Sequence, residues 1–478
     1  MFGAAASPLM TMKDRSFHRL RTLQGPVALS ILFLVTIALW LEAAPPGGWF
    51  GGASRSLSAL GLAVGLVGYT SFAANLLLGA RLPSLDRFFG GLESMYRVHR
   101  INGRFAYAAL ALHVALILCS RAVDDVGAAL ALLSPAAGAT VLAGVAAFVA
   151  MSVAIALTLR ARLTNETFIY VQRSFGLIFM AGALHAFLTP GAKASSSALT
   201  AYLAGLSILA LAAFTYRSLF GNLLVRRYDY VVSSVVELDP AVVEISLAPT
   251  DRALTARAGQ FVFVTFYSDR FNAQFHPMTV MPEGDTAVIV LRPGDARHQF
   301  HPFSLTSPVG ARELRLVVKA VGDFTSALHE LEPGAVARVE GPYGDFSYRN
   351  VPGRRQIWVA GGIGITPFLS MARSLRADDG YRVDLLWGVN DRTQAFFADE
   401  LRSIEAGLEG FGFVLVPEDE RGFIDARMLL SAASGDVAEF LIVGPPPMER
   451  ALRAQLLEAG VAEGRIHSER FAFGPPRA

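Results

Sequence analysis

Six long apolar tracts crowd into the first 215 residues, at 27–43, 57–79, 101–120, 138–159, 174–190 and 197–215. Rich in Ala and Leu, they come close to the roughly 20 helical residues that cross a hydrocarbon core about 30 Å thick. The reading is therefore a six-helix transmembrane bundle. Composition agrees, because 53% of the 478 residues are hydrophobic and 17% charged, whereas soluble domains carry about a quarter charged residues. Lys13, Arg15, Arg19 and Arg21 precede the first tract. The connection from Arg81 to Arg104 is basic too, as are Arg160, Arg162, Arg173, Arg226 and Arg227. The alternate connections hold few cations, among them Arg121 beside Asp124 and Asp125. That asymmetry predicts a multi-pass protein of the cell's inner (plasma) membrane with both ends cytoplasmic. No signal peptide is expected, since Pro45, Pro46 and Gly47 follow the first tract without a clear cleavage site. A net charge of +2 with no basic, aromatic-interleaved stripe argues against a nucleic-acid partner. The lone Cys119 makes neither an intrachain disulfide nor a thiolate metal site by itself.

Beyond Tyr230 the pattern changes. Strand-like runs at 231–247, 261–266, 286–292, 314–320 and 335–340, punctuated by Gly and Pro, predict an antiparallel β-barrel. From Gln356 onward apolar strands alternate with helical stretches: 356–360 and 366–376, 382–387 and 395–406, 412–416 and 425–432, 438–443 and 447–459. This is the rhythm of a parallel sheet covered by helices. The expected organisation is multi-domain: a transmembrane bundle over 1–229, a barrel over 230–350 and an α/β domain over 351–478.

His99 lies at the start of the third apolar segment, His113 in its middle, and His185 in the fifth. Fourteen residues are nearly four helical turns, which puts His99 and His113 on one face about 21 Å apart along the axis. Ionisable residues in a membrane are costly unless paired or ligated, and imidazole is a common axial ligand of haem iron. His113 facing His185 would hold one haem toward the outer side, and His99 would belong to a second nearer the cytoplasm.

This arrangement, with His99-Arg100-Ile101-Asn102-Gly103-Arg104, resembles the ferric reductase and NADPH oxidase superfamily. The resemblance implies two b-type haems gripped by two histidines on each of two helices, with Gly103 giving room for close approach and Arg100 or Arg104 meeting a propionate. It departs at one place. Thirteen residues before His185, where a fourth histidine is expected, stands Gln172. Three outcomes fit: His99 binds the inner haem alone, leaving an open iron position; Gln172 or another residue ligates weakly; or the inner haem is absent.

His301-Pro302-Phe303-Ser304-Leu305-Thr306-Ser307 resembles the flavin motif of the same superfamily and of the wider ferredoxin-reductase fold. The resemblance implies that Phe303, Ser304 and Thr306 position the isoalloxazine of FAD. Lys319, Gly322, Phe324, Thr325 and Ser326 form a second element whose amides and hydroxyls suit pyrophosphate. The run opening with Gly341-Pro342-Tyr343-Gly344 closes the module. His276-Pro277-Met278-Thr279 echoes the motif incompletely and reads as an inserted hairpin or strand within 267–299. In the α/β half, Gly361, Gly362 and Gly364 turn from a strand into a helix opened by Thr366-Pro367, and Gly444-Pro445-Pro446 ends a later strand. That pair resembles the NAD(P)H site of the ferredoxin-reductase family, with Val443 where its cysteine usually stands. Arg392 is the candidate for a 2′-phosphate, favouring NADPH over NADH. Thr366 and the terminal aromatic Phe471, with Phe473 second, are the candidates for the face where hydride moves.

The resemblance as a whole implies a flavocytochrome reductase moving electrons from NAD(P)H through FAD and one or two b haems to an acceptor across the membrane. Ferric iron or another external acceptor is preferred to superoxide production from oxygen. The remaining class is an electron-transfer subunit serving an electron-accepting protein. Membrane lipid and the nicotinamide nucleotide complete the expected partners.

Overall fold

A computed structural model of the chain describes residues 10–160, 165–189, 196–220, 225–267, 278–283, 286–291 and 300–469. They divide into a helical unit spanning Arg21–Val225 and a second unit that begins at Arg226.

The helical unit contains α1 (Met10–Glu42), α2 (Gly52–Gly79), α3 (Leu92–Asp124), α4 (Ala139–Arg160), α5 (Asn165–Leu188) and α6 (Ser197–Phe214). All six are long and apolar enough to cross a membrane. Each backbone amide is then satisfied within its own helix, which is what a bilayer demands. α2 is the innermost, with 61% of its apolar window buried against 17% for α3, α4 and α5. Large apolar side chains such as Leu34, Leu112, Leu177 and Ile208 point outward, as a lipid-facing surface requires. Several polar groups inside are paired: the Tyr69 and Ser207 hydroxyls lie 2.6 Å apart, and Asn102 Nδ2 donates to Ser71 O at 2.9 Å. Ser196 starts α6 by accepting from Leu199 N. α3 begins well before the apolar tract at 101, so His99 sits two turns inside a helix rather than at its start.

The second unit opens with an antiparallel sheet of β1 (Arg227–Asp239), β2 (Val242–Pro249), β3 (Phe261–Tyr267), β6 (His301–Ser304), β7 (Leu314–Lys319) and β8 (Val336–Tyr343), in the order β6-β3-β8-β1-β2-β7. A bridge between Leu305 and Leu316, with Thr306 N donating to Arg315 O at 2.9 Å, joins the two ends and closes the sheet into a barrel. Closure removes the exposed edges. Ile245, Leu247, Val262, Val264, Leu316 and Val339 fill its interior. The segment expected as an insertion contains a two-stranded hairpin, β4 (Met278–Glu283) with β5 (Thr286–Leu291). His276 and Pro277 lie outside the described residues.

A parallel sheet follows: β9 (Arg355–Gly361), β10 (Arg382–Val389), β11 (Phe411–Pro417), β12 (Glu439–Val443) and β13 (Ile466–Ser468), ordered β11-β10-β9-β12-β13. Its helices are α7 (Thr366–Ala372), α8 (Ala398–Gly407), α9 (Ala426–Ala433) and α10 (Pro446–Glu458). Trp358 and Ala360 of β9 enter one core, while Ile357 and Val359 enter the other. Both faces are covered, which is why these strands read as unbroken apolar runs. The strand order reverses direction between β9 and β12. Open α/β sheets bind ligands at such switch points.

Candidate functional site

The turn after β9 and the end of β12 meet at that switch point. A Cβ on Gly361 would stand 2.4 Å from Met448 Sδ and 3.0 Å from Pro445 Cδ; one on Gly364 would stand 2.4 Å from Val443 O. A Cβ on Gly444 would come within 3.3 Å of Gly361 N. These three glycines therefore let two backbones touch. Gly362 has a different task. Its φ of +52° needs glycine, its would-be Cβ meets open space, and it is exposed. Trp387 Nε1 pins its carbonyl at 2.9 Å, a contact with no signature in the sequence. Thr366 is buried with its hydroxyl donating to Ile363 O at 3.2 Å, and Pro367 occupies the first turn of α7. Pro445 and Pro446 are exposed beside the crevice. The glycine turn thus offers approachable backbone where a pyrophosphate would lie.

Arg392 follows β10, but its guanidinium is already held. Nε and Nη2 donate to the two carboxylate oxygens of Glu420 at 2.5 and 2.7 Å. The Arg392 guanidinium keeps the Glu420 carboxyl below the usual carboxylate range. A 2′-phosphate would have to displace that carboxylate.

In the barrel, Phe303 and Leu305 point into the core. Alternation then turns Ser304 and Thr306 to the other side of the strand. Thr306 is fully buried, and among the described residues its Oγ1 has no hydrogen-bond partner. An orphaned buried hydroxyl is costly, which fits a polar ligand such as flavin on that side. His301 stacks on Phe324 with ring centroids 3.7 Å apart, bringing the two expected flavin segments together. Thr325 serves the turn itself, its hydroxyl oxygen accepting from Val321 N at 2.9 Å and Gly322 N at 3.0 Å. Lys319 and Ser326 are exposed, and Gly341 lies against Val262 and Tyr343. Phe471 and Phe473 lie outside the described residues.

Sequence reasoning missed a clamp between flavin motif and nucleotide helix. Arg373 Nη1 donates to Thr306 O at 2.7 Å while its Nε and Nη2 each reach Glu400 at 2.7 Å. Ser370 Oγ donates to Ser307 O at 2.8 Å, and Val309 N donates to Ser374 Oγ at 2.9 Å. The three contacts between the motif and the helix join residues more than 60 apart, so no local pattern announces them.

In the helical unit the rings of His113 and His185 face each other, centroids 6.4 Å apart and planes at 64°. His113 Nδ1 lies 2.8 Å from Gly61 O, and His185 Nδ1 3.0 Å from Thr140 O. A carbonyl only accepts, so each Nδ1 carries the proton and each Nε2 keeps its lone pair. Metal-bound histidines are oriented in this way. An iron with metal–imidazole bonds of about 2 Å on either side, plus roughly 1 Å from nitrogen to ring centre, separates centroids by about 6 Å. The pair fits a haem. His99 Nδ1 likewise lies 3.2 Å from Asn75 O. Gly103 makes room for Asn75, whose Nδ2 would be 2.9 Å from an added Cβ. Arg100 and Arg104 are exposed, and Gln172 is half-buried in α5.

The profile of the "Ferric reductase like transmembrane component" family matches residues 64–183, ending just before His185, and that of the "Oxidoreductase NAD-binding domain" matches residues 358–454. The electron transfer component of 2-halobenzoate 1,2-dioxygenase from Burkholderia cepacia is 31% identical over 142 residues, 28% of this chain and 42% of that protein. A flavohemoprotein of Bordetella pertussis is 30% identical over 181 residues, 34% of this chain and 45% of that protein. Ferredoxin–NADP reductase B of Sorangium cellulosum is 30% identical over 183 residues, 35% of this chain and 75% of that protein. The chain thus spans about half the length of the first two relatives or a little less. Six helices long and apolar enough to cross a membrane thus precede a flavin-type barrel and a nucleotide-binding α/β sheet. The two matched families, in this order along one chain, fit the architecture of the ferric reductase/NADPH oxidase superfamily.

Proposed function

We propose that this protein is an NAD(P)H-dependent reductase that uses FAD and b-type haem to deliver electrons across the membrane to ferric iron or another external acceptor. The observation that carries the reading is the His113–His185 pair, spaced for one iron with both Nδ1 protons fixed on carbonyls. When bound, FAD takes a hydride and gives up electrons singly, and haem iron carries one electron at a time. The chain supplies position. Gly361, Gly362 and Gly364 admit the pyrophosphate, and Ser304 and Thr306 offer hydroxyls to the flavin. Arg373 fixes the flavin strand against α7, so nicotinamide and flavin would meet in a constant geometry. An open cleft of about 510 Å³ lined by Ser54, Arg55, Ser120, Arg121 and Asp124 lies at the ends of α2 and α3. It sits on the His113 side of His99, where a small external acceptor would arrive. Arg392 supports NADPH over NADH to the extent that phosphate displaces Glu420.

Purified protein should contain FAD and haem, and anaerobic NADH or NADPH should reduce the haem. His113→Ala and His185→Ala should each abolish the same low-spin haem spectrum; an unchanged low-spin spectrum after either would reject the pairing. Ferric-chelate reduction should be equal with and without oxygen. If superoxide dismutase abolished reduction in air, oxygen would instead be the acceptor.

A further inference from the structure

The three membrane histidines share one device. In a helix the carbonyl of residue i bonds the amide of residue i+4, and the side chain of i+4 lies over that bond. A glycine at i+4 uncovers the carbonyl's second lone pair. Gly61 O receives His113, and Gly65, four residues on, carries no Cβ, which would lie 2.5 Å from His113 Nδ1. Thr140 O receives His185, and Gly144 is the bare position, where a Cβ would lie 2.7 Å from the ring. Asn75 O receives His99, and Gly79 is the bare position, 3.7 Å from His99 Cε1.

The notches on α2 are fourteen residues apart, as are the two histidines of α3 that fill them. The same step along α4 runs from Thr140 and Gly144 to Ala154 and Thr158. Along α5 the corresponding step, thirteen residues rather than fourteen, runs from His185 to Gln172. At this fourth station both halves differ. Thr158 brings a Cβ, and its Oγ1 donates to Ala154 O at 2.8 Å, taking the carbonyl that a ligand's Nδ1 would use. Gln172 stands at the sequence position where the resemblance expects the fourth histidine. One substitution could be compensated by a shifted ligand, but a closed notch together with a missing histidine removes both the ligand and its support.

Resting on the haem reading above, we infer that His99 holds a second haem from one face only, leaving an iron position open to a small ligand such as carbon monoxide. Asn75 O still orients His99 as a ligand, and Gly79 leaves its ring room, so the half-site is intact on the α2–α3 side. Reduced wild-type protein should bind carbon monoxide at one haem of two, and ferric protein should show one low-spin and one high-spin spectrum. His99→Ala should remove the original carbon-monoxide-reactive haem and leave the low-spin one, whereas His113→Ala should abolish the low-spin spectrum and leave the His99 haem in place. Thr158→Gly combined with Gln172→His should convert the second haem to low spin and abolish carbon monoxide binding, and Gln172→His alone should do so less completely. Two low-spin haems in the wild type, a single haem indifferent to His99, or a double variant with an unchanged spectrum would each overturn the inference. Failure of the underlying reading looks different, because haem would then be absent altogether or unaffected by His113→Ala and His185→Ala.

Discussion

Gly65 and Gly144 carry no chemistry, yet they set where two imidazoles sit. Replacing either by Ala places a methyl group under 3.0 Å from a ring, so the histidine must leave its carbonyl or the helices must part. Loss of an outer-shell partner typically lowers metal affinity about 10- to 100-fold, and haem loading of Gly65→Ala and Gly144→Ala should fall accordingly. Gly182→Ala and Gly205→Ala, whose added Cβ atoms meet nothing within 4 Å, are the matched controls in the same bundle. If all four bind haem alike, the notch is not what holds the ligand. Arg392 and Glu420 pose the other residue-scale question. Both are largely exposed, so their pair contributes modestly. Glu420→Gln removes the charge that a 2′-phosphate must displace, and should raise the NADPH-to-NADH ratio of kcat/KM by about two- to fivefold. An unchanged ratio would mean Arg392 does not meet the phosphate.

Elements explain why some of this was legible in the sequence and some was not. Six membrane helices announce themselves because a bilayer fixes both length and apolarity, and the parallel strands because burial on both faces makes them continuous apolar runs. The glycine turns at 361–364 and 444 were readable, since backbone contact demands glycine in any context. The α7 clamp was not: Arg373 finds Thr306 O and Glu400 only once barrel and sheet pack together. Arg373→Ala should slow flavin reduction by NAD(P)H roughly 10- to 100-fold, the scale on which small misplacements act, with little change in flavin content. Normal rates would make the clamp merely structural. Phe303, read from the motif as a flavin-positioning residue, packs among the barrel's buried side chains. Asp425 offers a check on the α/β half alone. Its carboxylate accepts from Met428 N at 2.9 Å at the start of α9, and that amide holds its pKa below the usual range. Asp425→Ala should cost about 1 kcal/mol near neutrality. A depressed pKa stabilises above the unfolded value of about 4, so the cost should shrink as pH falls through the lower folded value. Thermal unfolding followed by flavin fluorescence at several pH values reads this directly.

At the scale of the whole molecule, an even number of crossings puts the N-terminal cations and the second unit on one side of the membrane. Which side is decided by loop charge. Short connections rich in arginine resist transfer across the bilayer, and those flanking α2–α3 at 81–104 and α4–α5 at 160–173 are the basic ones. The connections on the other side, around Pro45–Gly51, 121–138 and 189–196, hold two cations, Arg121 and Lys193, with Asp124 and Asp125 close to the first. Nicotinamide nucleotides carry phosphate charges and do not cross a lipid core, so orientation governs which membrane preparation can use them. Inverted vesicles, with the cytoplasmic face outward, should oxidise added NAD(P)H and reduce their haem, while sealed right-side-out cells should do neither until made permeable. An acceptor too polar to enter should show the reverse preference and be reduced only from the outer face. Equal nucleotide oxidation by both sealed preparations would contradict the charge rule for this chain, and with it the direction assigned to electron flow.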